Sequence, residues 1–200
     1  MMKATPGSAK DILRSAVNTL ETERLGMRSL ARNFVHDLGE PFVEAITRIR
    51  NIKGRVIVTG VGKSGHISAK IAATLASTGT PAFFVHSTEA NHGDLGMIGK
   101  DDAILAMSWS GETAELNGIV AYSRRFRIPL VAVTSRPTST LAREADVTLL
   151  LPRATEACPL GLAPTSSSTM QLVMGDALAV ALLERRGFTP DDFHVFHPGG

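Results

Sequence analysis

Three hydroxyl side chains and a glycine lie close together in the hexapeptide Ser108-Trp109-Ser110-Gly111-Glu112-Thr113, between an apolar run and a helical pattern. Hydroxyls beside a helix N-terminus bind a phosphate dianion without arginine, because O–H groups and free backbone N–H groups both donate hydrogen bonds. Ser110 or Thr113 alone could simply cap the helix. The hexapeptide as a whole predicts a phosphate loop.

A second loop, Gly60-Val61-Gly62-Lys63-Ser64-Gly65, has the glycine spacing of dinucleotide-binding proteins. Lys63 places a cation at the anion site, and the acidic residue that would bind a ribose, Glu89, comes later than the usual offset of roughly 20 residues. The P-loop pattern fails because it needs a glycine where the chain has Ile57. The loop therefore predicts an anion site, with a dinucleotide as the lesser alternative.

Both loops follow short β-branched runs that alternate with helical stretches from Arg55 onward. Such alternation is typical of βαβ units and predicts a three-layer α/β sandwich around a parallel sheet. Ligands of open parallel sheets lie at the carboxyl ends of the strands, where both loops fall. The predicted strands are Arg55–Thr59, Ala82–Val85, Ala103–Met107, Leu130–Thr134 and Val147–Leu150.

The spacing of apolar residues predicts helices on both sides of this sheet. Two amphipathic helices precede the first strand, one over about Ser8–Leu38 and a shorter one after a break at Gly39-Glu40-Pro41. They could pack on the sheet or on another subunit. The later helices are predicted at Ser64–Thr78, Glu112–Arg125, Ser139–Glu144 and Ser167–Arg186.

The 200 residues suit one domain, with N-terminal helices over residues 1–50 and an α/β core over 53–200. A count of 21 Lys and Arg against 19 Asp and Glu is too balanced for a general nucleic-acid binder. The single cysteine, Cys158, indicates a structural thiol in a reducing compartment. No signal-peptide segment and no apolar run near the ~20 residues of a membrane span is found, so we expect a cytoplasmic protein without a membrane partner.

Four separated motifs, together with the phosphate loop, resemble those of the D-arabinose-5-phosphate isomerases, which have a sugar-isomerase (SIS) domain. The motifs are Gly60-Val-Gly-Lys63-Ser-Gly-His66, Ala90-Asn-His92-Gly-Asp94-Leu-Gly96, Glu156-Ala-Cys158-Pro-Leu-Gly161-Leu-Ala-Pro-Thr165 and His197-Pro-Gly-Gly200. The resemblance extends from about Lys53 to the last residue. It implies the SIS fold, which is flavodoxin-like or Rossmann-like. It also implies interconversion of D-ribulose 5-phosphate and D-arabinose 5-phosphate, which supplies a precursor of a sugar acid of bacterial lipopolysaccharide.

The resemblance further implies which residues carry the chemistry. Isomerisation needs a base beside the carbonyl and a group that stabilises the enediolate, and it requires no metal or organic cofactor. The implied proton-transfer residues are Glu115, Glu156 and His197, with Lys63 as their charged partner. Glu115 is preferred as the base over Glu112, while the division of roles between Glu156 and His197 stays open.

Glycines, hydroxyl residues and one histidine are expected to bind the substrate or its phosphate. They are Ser64, Gly79, Thr80, His92, Ser108, Ser110, Gly111, Thr113, Ser166 and Ser167. For the serines at 166 and 167, helix capping is the alternative.

His86, Glu89 and His92 are spaced so that they could hold a divalent metal through imidazole nitrogens. The resemblance implies an inhibitory zinc site at His86. Either histidine could instead form hydrogen bonds with substrate hydroxyls.

The chain departs from the family pattern at three places. Trp109 stands where the family has a small or polar residue, and Asn91 stands where alanine is common. Neither change removes a proton-transfer group. The sequence also stops at Gly200, where longer members continue into a pair of CBS modules; a shortened chain is slightly favoured over a single-domain relative.

Two other functions are compatible with these motifs: a non-catalytic sugar-phosphate sensor, and an isomerase for another sugar phosphate. The sensor is disfavoured because residues 1–50 show no basic helix-turn-helix pattern. We also expect a homo-oligomer, a tetramer by family habit. The N-terminal helices carry surplus apolar surface. The tail with His197 follows a helix stop at Gly187 and a break at Thr189-Pro190, so we expect it to leave the sheet and complete a neighbouring subunit's pocket.

Overall fold

A parallel sheet of five strands forms the centre of the protein, seen in a computed structural model that describes residues 8–197 and 199. The strand order is β2-β1-β3-β4-β5, and each neighbouring pair is parallel. The order changes direction between β1 and β3, which places the ligand crevice of such folds at their carboxyl ends. The strands are Val56–Gly60 (β1), Ala82–His86 (β2), Ala103–Met107 (β3), Leu130–Thr134 (β4) and Val147–Leu150 (β5).

These strands confirm the predicted sheet. The bounds of β3, β4 and β5 agree with the sequence patterns, whereas β2 extends one residue further and β1 is shifted by one residue toward the C-terminus. The strands β1, β3 and β4 are buried throughout, because helices cover both faces. Alternate residues enter two separate cores, so that Val56 and Val58 pack on one face and Ile57 on the other.

Eight α-helices surround the sheet in the described part of the chain. They are Ala9–Asn33 (α1), Gly39–Asn51 (α2), Gly62–Ser77 (α3), Ser87–Ala90 (α4), Asn117–Phe126 (α5), Thr140–Glu144 (α6), Ser166–Arg186 (α7) and Pro190–Phe196 (α8). Two turns of 3-10 helix, Asp94–Met97 and Ala114–Leu116, complete the regular structure. The predictions for the N-terminal segment 1–7 and for Pro198 and Gly200 lie outside the described residues.

Three expectations about the helices were wrong. Gly39 and Glu40 begin α2 rather than form a break, since the chain turns over residues 34–38 instead, and Pro41 lies in the first helical turn, where proline is suited. The helix expected from Glu112 begins only at Asn117, after the 3-10 turn. Thr189 and Pro190 start α8 rather than interrupt the chain, because the Thr189 and Asp192 side chains form a capping box and proline suits a first helical turn.

The helix α7 is a core element of the fold. By length and composition it could span a membrane, but half of its most apolar stretch is buried inside the protein. It packs so closely on α3 that a Cβ on Gly175 would lie 2.2 Å from Ile71 Cδ1. This contact needs glycine, and it identifies α7 as an interior helix of the fold.

The first half of α1 presents an exposed apolar stripe, formed by Ile12, Leu13, Val17 and Leu20. These side chains are 63–70% exposed. The second half of the helix docks instead, with Leu30 buried. An apolar stripe of this kind on a helix that projects from the protein is the surface that a subunit contact would cover.

Candidate functional site

A cavity of about 440 Å³ opens at the carboxyl ends of β1 and β3. Seven of the predicted site residues line this cavity together: Lys63, Ser64, Ser108, Ser110, Thr113, Glu156 and Ser167. They come from four separate segments: the first turn of α3, the loop after β3, the stretch between β5 and α7 that carries Glu156, and the start of α7. The topology therefore collects the two anion-binding loops at the switch point of the sheet, as the sequence predicts.

The loop after β3 keeps hydroxyl protons available for a ligand. Ser108 Oγ and Thr113 Oγ1 are 2.7 Å apart, and Ser108 Oγ accepts the Gly111 N–H at 3.0 Å. Ser110 Oγ accepts the Glu112 N–H at 3.2 Å. Because a hydroxyl can accept and donate at once, Ser110 and one member of the Ser108–Thr113 pair retain a proton for an anion.

Gly111 shapes this loop rather than offering its own N–H to a ligand, which differs from the expectation that it binds substrate. Its φ angle is +67°, and an added Cβ would lie 2.1 Å from Ser139 Oγ. The Gly111 N–H already points to Ser108. Only glycine fits both the left-handed backbone and the close approach.

Trp109 anchors the same loop, a role that its sequence position did not indicate. Its carbonyl oxygen accepts hydrogen bonds from Thr134 Oγ1 at 3.2 Å, Ser135 N at 3.0 Å and Ser135 Oγ at 2.8 Å. Its side chain packs against the core and lines the cavity. The bonds tie the phosphate loop to the end of β4.

Two helix N-termini point at the cavity. Lys63 and Ser64 lie in the first turn of α3, and Ser167 lies in the first turn of α7. The first N–H groups of a helix have no partner within the helix, and its dipole favours an anion there. Lys63 adds the one cationic side chain among the described lining residues. This combination suits a phosphate group.

Glu156 caps the start of α7 with its carboxylate. Oε2 accepts hydrogen bonds from Thr165 N at 2.7 Å, Thr165 Oγ1 at 2.9 Å and Ser167 N at 3.3 Å. Burial alone would raise the pKa of Glu156, but the hydrogen bonds from Ser167 and Thr165 outweigh it and hold the pKa below its usual range. The carboxylate is therefore ionised and fixed in place at neutral pH.

Gln171 is a lining residue that the motifs did not identify. Its side chain is 1% exposed, and Oε1 accepts a hydrogen bond from Ser64 Oγ at 3.0 Å. Since residues four apart share a helix face, it lies beside Ser167. A polar residue on the buried face of α7 was the signal that could have revealed it.

The two glutamates near the phosphate loop lie outside the cavity lining. Glu115 is exposed in the 3-10 turn, where its carbonyl oxygen accepts a hydrogen bond from Asn91 Nδ2 at 3.0 Å. Glu112 turns toward α6, and its Oε1 accepts the Thr140 N–H at 3.0 Å. Hydrogen bonds from Thr140 lower the pKa of Glu112. The Glu112 carboxylate is therefore held at the start of α6, so Glu112 is a poorer candidate for the alternative base.

Gly79, Thr80 and His197 lie away from this cavity. The first two precede β2, so parallel strands place them at the amino edge of the sheet, opposite the cavity. His197 follows α8, with its ring stacked on Phe193 at 3.8 Å between centroids. Phe196, its neighbour, lines a separate cavity with Gly79. One chain cannot bring these three residues to the ligand crevice.

Ser166 is fully buried beside the cavity rather than in its lining. Its Oγ has no hydrogen-bond partner among the described residues. The helix direction turns Ser167, and not Ser166, toward the ligand space. Ser167 therefore lines the cavity and Ser166 does not, although both were expected to bind the substrate.

The expected metal cluster is not formed within one chain. Among residues 8–197 and 199, no three His, Cys, Asp or Glu side chains converge to hold an ion. His86 Nδ1 accepts the Thr88 N–H at 3.3 Å, so neutral His86 carries its ring proton on Nε2 in this arrangement and would bind a metal there only after that proton leaves. His92 is exposed on the turn after α4. These residues do not fit a three-ligand zinc site.

Cys158 is a half-buried free thiol two residues beyond Glu156. Backbone N–H groups of Ala163, Leu162, Leu160 and Gly161 lower its pKa. The surrounding loop therefore favours the thiolate, which differs from the inert structural thiol that the sequence suggested.

Fold and site together define an α/β protein with a cavity suited to a small anion at the switch point of a parallel sheet. The model of the SIS domain family matches residues 48–181, and the chain belongs to that family. It is 54% identical to the arabinose 5-phosphate isomerase KdsD of Pseudomonas aeruginosa over 190 residues, which cover 95% of this chain and 57% of that protein. The chain thus spans about half the length of the curated relatives it matches.

Solved structures share the fold. The structure of E. coli CFT073 c3406 in complex with arabinose 5-phosphate superposes with a TM-score of 0.89 and 42% identity, covering 96% of this chain and 100% of that one. The Vibrio vulnificus NanR protein complexed with ManNAc-6P superposes with a TM-score of 0.74 at 20% identity, over 96% of this chain and 69% of that one. The NanR likeness concerns the fold alone.

Proposed function

We propose that this protein interconverts D-ribulose 5-phosphate and D-arabinose 5-phosphate through an enediolate. The observation that carries the proposal is the single cavity that unites Lys63, the hydroxyls after β3 and the Glu156 carboxylate. The 54% identity to KdsD of P. aeruginosa and the arabinose 5-phosphate bound in the c3406 structure support this choice of sugar. In this role the protein supplies a precursor for lipopolysaccharide synthesis.

In the proposed reaction, the phosphate binds between the α3 N-terminus and the loop after β3. A base removes the proton from the carbon next to the carbonyl and returns it to the neighbouring carbon, while a hydroxyl proton moves between the two oxygens. Lys63 offsets the negative charge that develops on the enediolate. No metal or organic cofactor takes part.

Glu115 remains the proposed base, although it lies outside the cavity lining, exposed in the 3-10 turn. Glu156 is closer to the ligand space, but its lowered pKa and its hydrogen bonds to α7 make it a weak proton acceptor. Glu156 instead orients Ser167 and the helix start. Glu115 would reach the substrate by a shift of the exposed 3-10 turn.

We further propose a homo-oligomer, with a tetramer as the expected form. The exposed apolar stripe of α1 supplies a surface for assembly. Gly79 and His197 lie away from their own chain's cavity, so a neighbouring subunit could receive them at its cavity. Thr80 is 1% exposed and stays within its own chain. His92, exposed on the turn after α4, is proposed to contact substrate hydroxyls.

The remaining proposals concern the compartment of the protein, its partners and its inhibition by zinc. The balanced charge and the free Cys158 support a cytoplasmic protein whose partners are sugar phosphates, without nucleic acid or membrane. Inhibition by zinc at His86 would require the ring proton to move to Nδ1, and ligands from outside this chain.

Turnover of a panel of sugar phosphates tests the function. Ribulose 5-phosphate and arabinose 5-phosphate should interconvert faster than hexose or heptose phosphates. Faster turnover of another sugar phosphate would make that sugar the substrate and would still make the protein a sugar-phosphate isomerase. Tight binding without any turnover would indicate a sugar-phosphate sensor.

A further inference from the structure

Leu162 is an apolar residue of the cavity lining that other residues of the chain leave almost uncovered. It lies in the loop of residues 157–164, between β5 and α7, and is 79% exposed. A single exposed leucine on a protein surface needs no explanation by itself. This one borders the space proposed for the substrate, so a ligand in the cavity would meet it.

The two ends of this loop are fixed to each other. The Thr165 hydroxyl donates to Glu156 Oε2 at 2.9 Å and accepts the Ala157 N–H at 2.8 Å. The Thr165 N–H also donates to Glu156, at 2.7 Å. Residues 159–164 between these ends are all exposed. The stem is therefore anchored beside the cavity, and the tip of the loop projects from it.

The tip turns its backbone inward, around the sulfur of Cys158. The N–H groups of Leu160, Gly161, Leu162 and Ala163 lie near this sulfur, where they lower the pKa of the thiol. The Gly161 N–H also donates to the Cys158 carbonyl oxygen at 2.8 Å, and Gly161 has a φ angle of +65° that suits glycine. This tight turn leaves the two leucine side chains uncovered.

The two leucines of the tip differ in their relation to the cavity. Leu160 is 78% exposed and Leu162 is 79% exposed, but only Leu162 is among the described lining residues. Gly161 and Pro164 line the cavity beside it and bring no polar side chain. This wall of the cavity can exclude water from a ligand, but its side chains cannot form hydrogen bonds with one.

We propose that Leu162 covers the bound substrate and shields its reacting carbons from water. The inference rests on the proposed function, because the enediolate is the intermediate that a solvent proton would reach. Exclusion of water prevents proton leakage, so the proton taken from one carbon stays on the base until it is delivered to the neighbouring carbon. Leu162 forms no bond in this step and acts as a shielding residue, not as a catalytic one.

Isomerisation of ribulose 5-phosphate in deuterium oxide measures this shielding. A proton that the base carries from C1 to C2 leaves hydrogen in the product, whereas a proton from the solvent leaves deuterium there. Mass spectrometry of arabinose 5-phosphate collected at early times gives the ratio of the two. In Leu162→Ser the share of deuterium should rise severalfold. Leu162→Met, which stays apolar at similar volume, should restore the native ratio.

Leu160→Ser is the matched control, since Leu160 has the same exposure in the same loop but does not line the cavity. Its deuterium ratio should equal that of the native protein. Because both leucines are exposed, neither serine should disturb the fold.

Binding provides a second readout that needs no turnover. Trp109, the single tryptophan, lines the same cavity and reports binding by fluorescence. In Leu162→Ser the Kd for arabinose 5-phosphate should rise by up to about tenfold, as for loss of apolar contact, while the Kd for inorganic phosphate stays within about twofold. Leu160→Ser should leave both Kd values unchanged.

A native deuterium ratio in Leu162→Ser would overturn the proposal, and so would an equal rise in Leu160→Ser. Complete exchange in the native protein would overturn it too, because nothing would then keep water out. A smaller assembly of Leu162→Ser in light scattering would assign the leucine to a subunit contact instead. Failure of the function is a separate result, in which the native protein binds arabinose 5-phosphate without converting it. The Kd values then still decide whether Leu162 covers the ligand.

Discussion

Glu156 Oε2 lies 2.7 Å from the backbone nitrogen of Thr165, immediately before the first turn of α7. The pKa of Glu156 lies below its ordinary value of 4.5 in the folded chain. A lowered folded pKa adds stability above the ordinary value, and this stability is lost as the pH falls through the folded pKa. We therefore expect the thermal unfolding midpoint to fall on acidification from pH 6 to below about 4.5, and to fall less in Glu156→Gln.

Glu184→Gln serves as the control for this measurement. Glu184 is exposed at the other end of α7 and makes no hydrogen bond through its side chain among the described residues. Its variant should follow the pH dependence of the native protein. An identical acid profile for Glu156→Gln would show that the carboxylate does not stabilise the helix start.

Glu115→Gln should lower turnover by about 10² to 10⁴-fold, which is typical for loss of a general base. Glu112→Gln should lower it far less, because that carboxylate is bonded to Thr140 and turned away from the cavity. Steady-state kinetics with ribulose 5-phosphate separates the two. Near-native turnover in Glu115→Gln would move the proton transfer to another group, and Trp109 fluorescence would establish that ligand still binds.

Gly111→Ala should destabilise the protein by more than about 1 kcal/mol, since alanine at positive φ is strained. It should also abolish ligand-induced change in Trp109 fluorescence, because a methyl group would overlap Ser139 Oγ. Gly187→Ala gives the comparison: its φ is +65°, nothing lies within 4 Å of an added Cβ, and it ends α7 outside the cavity lining. That variant should lose stability and keep ligand binding.

Alkylation of Cys158 by iodoacetamide should reach half its maximal rate at a pH below the ordinary thiol value of 9.0. The backbone N–H groups of the loop stabilise the thiolate, which is the reactive form. Mass spectrometry of the native protein over a pH series gives the midpoint. A midpoint at or above the ordinary value would mean that the loop does not hold the sulfur in this arrangement.

Mixing inactive Glu115→Gln and His197→Ala proteins should restore part of the activity when subunits exchange. A hybrid cavity would then draw its intact glutamate and its intact histidine from different chains. Light scattering and native mass measurement verify exchange. Absence of recovery in exchanged samples would place His197 in the site of its own chain or outside catalysis.

The sequence predicted the sheet closely because buried parallel strands are continuous apolar runs, such as Ala103–Met107. It misjudged the start of α5 because Glu112 and Thr113 are acceptable in a helix, and only the tertiary contact of Glu112 with Thr140 explains why they stay outside it. It also missed Thr189 as a cap, reading the following proline as a break.

The site was predictable where residues cluster along the chain, as in the loop after β3. The parts of the site that depend on packing between distant segments of the chain were not predictable. Gln171 reaches Ser64 only because α3 and α7 touch at Gly175, a contact between segments more than one hundred positions apart. His197 and Gly79 carry no sign of which edge of the sheet they occupy until the strand order is known.

The cavity would recognise the proposed phosphate mainly through neutral groups, because Lys63 is the one cationic side chain among its described lining residues. Ionic strength screens charge attraction over distances of about 10 Å at 0.1 M salt, but it hardly affects hydrogen bonds made at contact. Such a site gains little from long-range steering, so ligands would arrive at the unassisted rate of diffusion. Selection among sugar phosphates would then take place after arrival, through the residence time of each ligand.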